Sequence, residues 1–387
     1  MSNSLDAYAS QKLTALKQRS LLRWLSETER VGPIEVVRDG RRLVSFSCND
    51  YLNLSQHPDI KAAAIRATEQ YGAGSGASRL VTGNHPLYGE LESKLADLKG
   101  TEDACVFGSG YLANTGIIPA LTGKEDMVAV DELSHACIFA GASLTNGAVH
   151  VFRHNDTDHL RKILEEHRTS YPRALIVTDG VFSMDGDLAP MEELGQIAEE
   201  FDSWLMTDDA HGIGVVGGGR GSGFTGSGAK ANVPLQMGTL SKAIGGYGGY
   251  LCASKPVIDL IRTRSRTLIY STGLPPGVVA AASAAIDLIR SDPGYAALPL
   301  AKARVFTEAL GLAEAQSPIV PVVLGGTKET LEASSLLQDE GFLVVAIRPP
   351  TVPDGTARLR FTFTAAHEDA DIARLADIVK TRILEKP

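Results

Sequence analysis

Several things are scarce in this chain. Only four cysteines occur in 387 residues (Cys48, Cys105, Cys137 and Cys252). None forms a closely spaced pair, so neither a disulfide scaffold nor a cysteine metal site is expected, and no metal is called for. No run of about 18 apolar residues appears, so no membrane-spanning helix is expected. Positive charge is in deficit, with 37 Lys and Arg against 46 Asp and Glu and a net charge of −9. The basic residues are scattered, which argues against nucleic acid as a main partner. The opening stretch MSNSLDAYASQKLTALKQRS is polar and has no apolar signal core, which predicts a cytoplasmic protein. A hydrophobic content of 44% and a charged content of 21% suit a globular chain able to bury a large core.

Glycine is abundant, at 39 residues, and it clusters. GGGRGSGFTGSG at 217–228 reads as a flexible loop over or near a site. QMGTLSKAIGGYGGY at 236–250 places one cation, Lys242, among small residues. Such a lysine sits either on an exposed turn or in a space kept open for a cofactor joined to its amine.

Hydrophobic patterning divides the chain into an N-terminal segment (1–45), a large α/β domain (46–285) and a smaller α+β domain (286–387). An amphipathic helix carrying Leu13, Leu16, Leu21, Leu22 and Leu25 opens the first, followed by strands near 34–37 and 43–46. In the second, the strand-like runs ACVFG, MVAVD, VHVFR, ALIVTDG and WLMTDD alternate with helical stretches such as TDHLRKILEEHR and MEELGQIAEEF. That alternation predicts βαβ units and a mostly parallel sheet flanked by helices. The third reads helix, then strands IVPVVL, FLVVAIR and ARLRFTFT, then a last helix.

Ligands of open parallel sheets gather at the carboxyl ends of the strands. Those ends carry Ser109-Gly110-Tyr111, His135, Ser183, and Asp208 with His211, followed by the Lys242 stretch. Taken singly, each is what an ordinary cap or loop contains. Together they match pyridoxal phosphate, which needs an amine, an anion site, a carboxylate for the pyridine nitrogen and a ring to stack on its face. Lys242, Ser109-Gly110 with Thr239, Asp208 and His135 supply these in turn, and His211 and Ser183 suit the phenolic oxygen.

The chain resembles the α-oxoamine synthases, pyridoxal-phosphate enzymes of the aminotransferase-like fold type I. The resemblance spans roughly 40–370 and rests on CNDYLNL (48–54), GSGASRLVTGNHPLYGELE (74–92), DELSHACI (131–138), TDGVFSMDGDLAP (178–190), DDAHGIGVVG (208–217), GTLSKAIGGYGGY (238–250) and LIYSTGLPP (268–276). It implies condensation of an amino acid with an acyl thioester and loss of CO2. Lys242 then carries the cofactor and moves the proton, while Asp208 pairs with the pyridine nitrogen and His135 stacks on the ring. Ser109, Gly110, Tyr111, Ser183, His211 and Thr239 surround the cofactor. Thr272 is implied to reach the phosphate in a neighbouring subunit, so a homodimer with shared sites is expected. Arg360 is implied to hold the amino-acid carboxylate, with Asn49 and Arg23 lining the substrate site, and Cys137 is assigned to packing. Alanine, glycine and serine remain open as the amino acid, pimeloyl, acetyl, succinyl and long chains as the acyl group, and CoA or a carrier protein as its carrier. An aminotransferase of the same fold, or a silent dimer kept as a binding module, are the readings from other classes.

Overall fold

In the computed structural model, residues 3–19, 21–225 and 230–385 are described. Part of the glycine-rich loop, 226–228, lies outside them. The apolar runs form a seven-stranded sheet in the order Asp103–Phe107, Gly249–Ala253, Leu235–Thr239, Trp204–Asp208, Ala174–Asp179, Met127–Asp131, Ala148–Phe152. From Leu235–Thr239 outward to Ala148–Phe152 every pairing is parallel. The sheet is therefore mostly parallel, as the alternation predicts. Gly249–Ala253 is the exception, antiparallel to both neighbours. Only residues 240–248 join it to Leu235–Thr239, too few for the crossover helix that a parallel return needs. The inner strands are buried on both faces, which is why they read as continuous apolar runs. Val128 and Val130 face one core with Ile117, Met206 and Leu251. Met127 and Ala129 face the opposite core with Leu160, Leu194 and Leu205.

Three features differ from the sequence reading. The first helix spans Ser4–Gln18 and buries no residue, so Leu21, Leu22 and Leu25 fall beyond it. Among the described residues nothing packs on its leucines closely enough to bury them. The run FLVVAIR is two strands rather than one. Phe342–Leu343 pairs in parallel with Arg41–Ser45, and Val345–Ile347 pairs antiparallel with Ala357–Thr362. Ser47 occupies the break, its hydroxyl donating to Leu343 O (3.2 Å) and accepting from Val345 N (2.9 Å). Finally, Leu235–Thr239 and Gly249–Ala253, whose small residues hide their strand character, are both central strands.

Strands Glu35–Arg38 and Arg41–Ser45 form a hairpin whose turn residues Asp39 and Gly40 have φ of 50° and 72°. Asp-Gly suits that left-handed pair. Because Arg41–Ser45 takes Phe342–Leu343 as a neighbour, residues of the N-terminal segment share a sheet with the C-terminal residues. They share a core as well. Phe46 meets Phe342 and Phe363 edge-on and stacks on His367, ring centroids 3.9 Å apart. Among the described residues no helix is long and apolar enough to cross a membrane. Phe46→Ala is expected to cost about 3–5 kcal/mol, the usual loss for emptying a buried phenylalanine site; urea denaturation checks it.

Candidate functional site

The carboxyl ends of the sheet converge on a cavity of about 240 Å³ lined by Ser109, Gly110, Tyr111, His135, Cys137, Asp179, Ser183, Asp208, Ala210, His211, Thr239, Ser241 and Lys242. Asp208, Asp179 and Thr239 are the last residues of their strands. Ser109 caps the helix Gly110–Leu121, its hydroxyl accepting from Leu112 N at 3.1 Å, so this helix turns its positive end towards the cavity. A larger hollow of about 1060 Å³ lies between the first helix and the 349–354 turn. Its wall is mostly leucine and proline, with no comparable cluster of titratable groups, and it is not the candidate site.

Lys242 follows Thr239 around a tight bend. Its amine lies 2.7 Å from His211 Nε2, and burial, offset in part by Asp208 and Asp179, lowers its pKa to about 8. His211 is held well below its ordinary value by burial and then by the Lys242 charge. Its Nδ1 lies 2.6 Å from the Tyr51 hydroxyl, which burial pushes up to about 12. Tyr51 therefore keeps its proton, and the neutral His211 ring stands between the Tyr51 hydroxyl and the Lys242 amine.

Asp208 meets neutral donors only, Asn114 Nδ2 at 2.7 Å and Ala210 N at 2.9 Å. Among the described residues no cation lies within ion-pair reach of it. A buried carboxylate so placed suits a cationic ring nitrogen. His135 stands at the mouth, its backbone N–H donating to Asp179 at 2.7 Å. Burial and the neighbouring Asp208 raise the Asp179 pKa well above the ordinary carboxylate value. Thr239 donates its hydroxyl to Gly248 O (2.7 Å) and lies 2.6 Å from Ser241 Oγ.

Arg360 projects from Ala357–Thr362 and is 6% exposed. Its Nε donates to Ser183 O and its Nη1 to Asn49 Oδ1 at 3.1 Å, while Nη2 is buried with no partner. Asn49 also lies 3.4 Å from the Tyr51 hydroxyl, so a polar chain runs from Arg360 through Asn49, Tyr51 and His211 to Lys242. Two candidates lie elsewhere. Thr272 is exposed and bridges to Ser78 outside the cavity. Arg23 lines the larger hollow and donates to Thr351 Oγ1 at 3.0 Å.

The glycines after Lys242 do not make room for a ligand, contrary to expectation. A Cβ on Gly245, whose φ is +72°, would lie 2.4 Å from Ser55 N, and one on Gly249 would lie 2.5 Å from Ser109 O. Close backbone packing requires them, and neither lines the cavity. Cys137, assigned to packing, is buried in the core beside Ile117 and Ile138, and also contacts His135 Nδ1 (2.8 Å) and Asn114 (3.1 Å). Asn114, Tyr51, Asp179 and Ser241 were not singled out by sequence. Asp179 ends an apolar run just as Asp208 does, a signal available but unused; the other three had none.

Outside the cavity, His154 joins two of its loops. Nδ1 faces Asp131 at 3.2 Å and Nε2 faces Asp187 at 2.8 Å, which tethers the turn leading to His135 to the loop carrying Ser183. These two carboxylates outweigh desolvation and raise its pKa to about 10.

An amine, a carboxylate without a cation, an imidazole at the mouth and a helix N-terminus with hydroxyls form a donor set that fits pyridoxal phosphate. The chain belongs to the aminotransferase class I and II family, whose model matches residues 41–379. It is 64% identical over 384 residues to a putative 8-amino-7-oxononanoate synthase of Parvibaculum lavamentivorans, covering 99% of this chain and 98% of that one. It is 60% identical to the 8-amino-7-oxononanoate synthase of Beijerinckia indica subsp. indica, covering 97% of each. Among solved structures it superposes with a TM-score of 0.91 on serine palmitoyltransferase from S. paucimobilis with bound PLP–myriocin aldimine, at 30% identity over 98% of both chains. The architecture is that of the pyridoxal-phosphate enzymes of fold type I.

Because the folded-state pKa of His154 lies above its ordinary 6.5, its contribution to stability is full below about pH 6.5 and is lost as pH rises towards about 10. His154→Gln is expected to lower the thermal midpoint clearly near pH 6 and by little near pH 10; scanning calorimetry at both values tests this.

Proposed function

We propose that this protein is a pyridoxal-phosphate-dependent acyltransferase of the α-oxoamine synthase type. It joins L-alanine to a pimeloyl thioester, of CoA or of a carrier protein, giving 8-amino-7-oxononanoate, the free thiol and CO2 in biotin biosynthesis. One observation carries the reading: Lys242, Asp208 and His135 face a single cavity, in a chain 64% identical over nearly its full length to a protein of that name.

When bound, pyridoxal phosphate supplies an electron sink for the negative charge that develops at the amino-acid Cα. Lys242, with its pKa lowered to about 8, reaches the neutral amine far more readily than an ordinary lysine, which suits it to attach the cofactor and to take and return the Cα proton. His211 Nε2 lies against that amine and orients it. Asp208 would hold a proton on the pyridine nitrogen, and His135 would cover one face of the ring. Ser109, Gly110 and Thr239, with the helix N-terminus, receive the phosphate, while Tyr111 walls the cavity. Ser183 and His211 would approach the phenolic oxygen.

Arg360 has two donors already tied to Ser183 and Asn49. Its free Nη2 is the group for the alanine carboxylate, which sets the Cα bond to be broken at the productive angle. The enzyme acts in the cytoplasm as a homodimer, in which the exposed Thr272 serves the phosphate site of a second copy.

Purified protein is expected to show a visible absorbance band that shifts with alanine, and to release CO2 with alanine plus pimeloyl-CoA. Lys242→Ala should lose that band and at least about a thousandfold in turnover while remaining folded. Turnover retained by the variant rejects the assignment. CO2 release only with glycine and a short acyl-CoA keeps the reaction type and changes the substrates. A keto acid formed without CO2 points to an aminotransferase.

A further inference from the structure

Four side chains, ending in His135, form one directed hydrogen-bonded series. Asn114 Nδ2 donates to Asp208 Oδ2 at 2.7 Å and to Cys137 Sγ at 3.1 Å. Cys137 Sγ lies 2.8 Å from His135 Nδ1, and Cys137 N lies 3.2 Å from the same nitrogen. The amide orientation follows from charge. Turning Asn114 over would aim its oxygen at the Asp208 carboxylate, and the buried Oδ1 stays without a partner rather than do so. Both amide protons are then committed, so the sulfur accepts from Asn114 and has only its own proton to offer onward. That proton is retained, because burial and the nearby Asp208 push the Cys137 thiol up to about 12. His135 Nδ1 is left as an acceptor of S–H and N–H together.

We propose that Asn114 and Cys137 are positioning residues that fix His135 as the neutral Nε2–H tautomer, its donor turned into the cavity. This deepens the functional reading above and rests on it for the meaning of the site. One series then sets both ring contacts, the carboxylate at the pyridine nitrogen and the imidazole over the face. His135 presents an N–H donor over the ring to the substrate's carboxylate or thioester oxygen, and carries no positive charge beside a cationic ring. The charged or titratable groups facing His135 are Asp208, Asp179, Lys242, His211 and Cys137. Desolvation, the largest influence on it, and then the Lys242 charge favour the neutral ring; Asp208 opposes.

The experiment is NMR of the full chain with 15N-labelled histidine, before and after saturation with pyridoxal phosphate, with the His135 signals assigned by their loss in His135→Gln. The wild type is expected to show Nε2 protonated and Nδ1 bare in both states. Cys137→Ala removes the S–H donor and should raise the His135 midpoint by about half a pH unit to one unit and mix the tautomers. Cys137→Ser, which restores a donor on a similar frame, should return both towards wild type. A wild type protonated at Nδ1, an alanine variant with unchanged tautomer and midpoint, or a serine variant that behaves like alanine each overturns the proposal, the last by leaving Cys137 a packing role. The expected pattern in a protein that takes up no pyridoxal phosphate supports the series and rejects the functional reading instead.

Discussion

Three parallel strands end in buried carboxylates at Asp131, Asp179 and Asp208, and much of the surrounding structure answers the cost of placing like charges side by side out of water. Each is answered differently. Asp131 takes the backbone N–H groups of Leu133 and Asn155 and faces His154. Asp179 takes the His135 N–H and is driven towards its neutral form. Asp208 takes an amide side chain and one backbone N–H, which leaves it the group of the three suited to a cationic ligand. A single alignment of strand ends thus yields a structural anchor, a support for the imidazole and a ligand group.

One residue beyond Asp208, Asp209 forms a fully buried ion pair with Lys99 at 2.6 Å. Lys99 also donates to Arg220 O, and Asp209 accepts from Ser222 N at 2.9 Å. Two adjacent aspartates therefore look opposite ways, one into the cavity and one into the protein. The inward one pins the turn that presents Asp208 and His211. Removing one partner of such a pair would leave an uncompensated charge in the interior, which is far costlier than losing a surface bridge.

The parallel strands were legible because strands covered on both faces are apolar throughout, and their polar terminal residues marked where a ligand would gather. Gly249–Ala253 was obscured by Gly249 and the glycines just before it, although the shortness of the 240–248 connection already required an antiparallel return. Tyr51 and Asn114 were not legible. Each owes its position to contacts more than ninety residues away in sequence, 160 from Tyr51 to His211 and 94 from Asn114 to Asp208, which local pattern does not carry. Cys137 was legible as core packing, but its two polar neighbours were not, for a related reason. Thr272 and Arg23 came from resemblance alone, and within one chain neither reaches the cavity.

The break at Ser47 bears on how the chain is made. Arg41–Ser45 leaves the ribosome long before its neighbour in the sheet, Phe342–Leu343, and the adjoining Phe46 long before its core partner Phe363. Contacts of such long sequence separation are slow to form. During synthesis, Phe46 and the free edge of Arg41–Ser45 stay uncovered until nearly the whole polypeptide has emerged. An apolar ring beside an unpaired strand edge invites wrong pairing over that interval. The two exposed arginines at the start of that strand, Arg41 and Arg42, put charge on this edge, a common protection against such pairing.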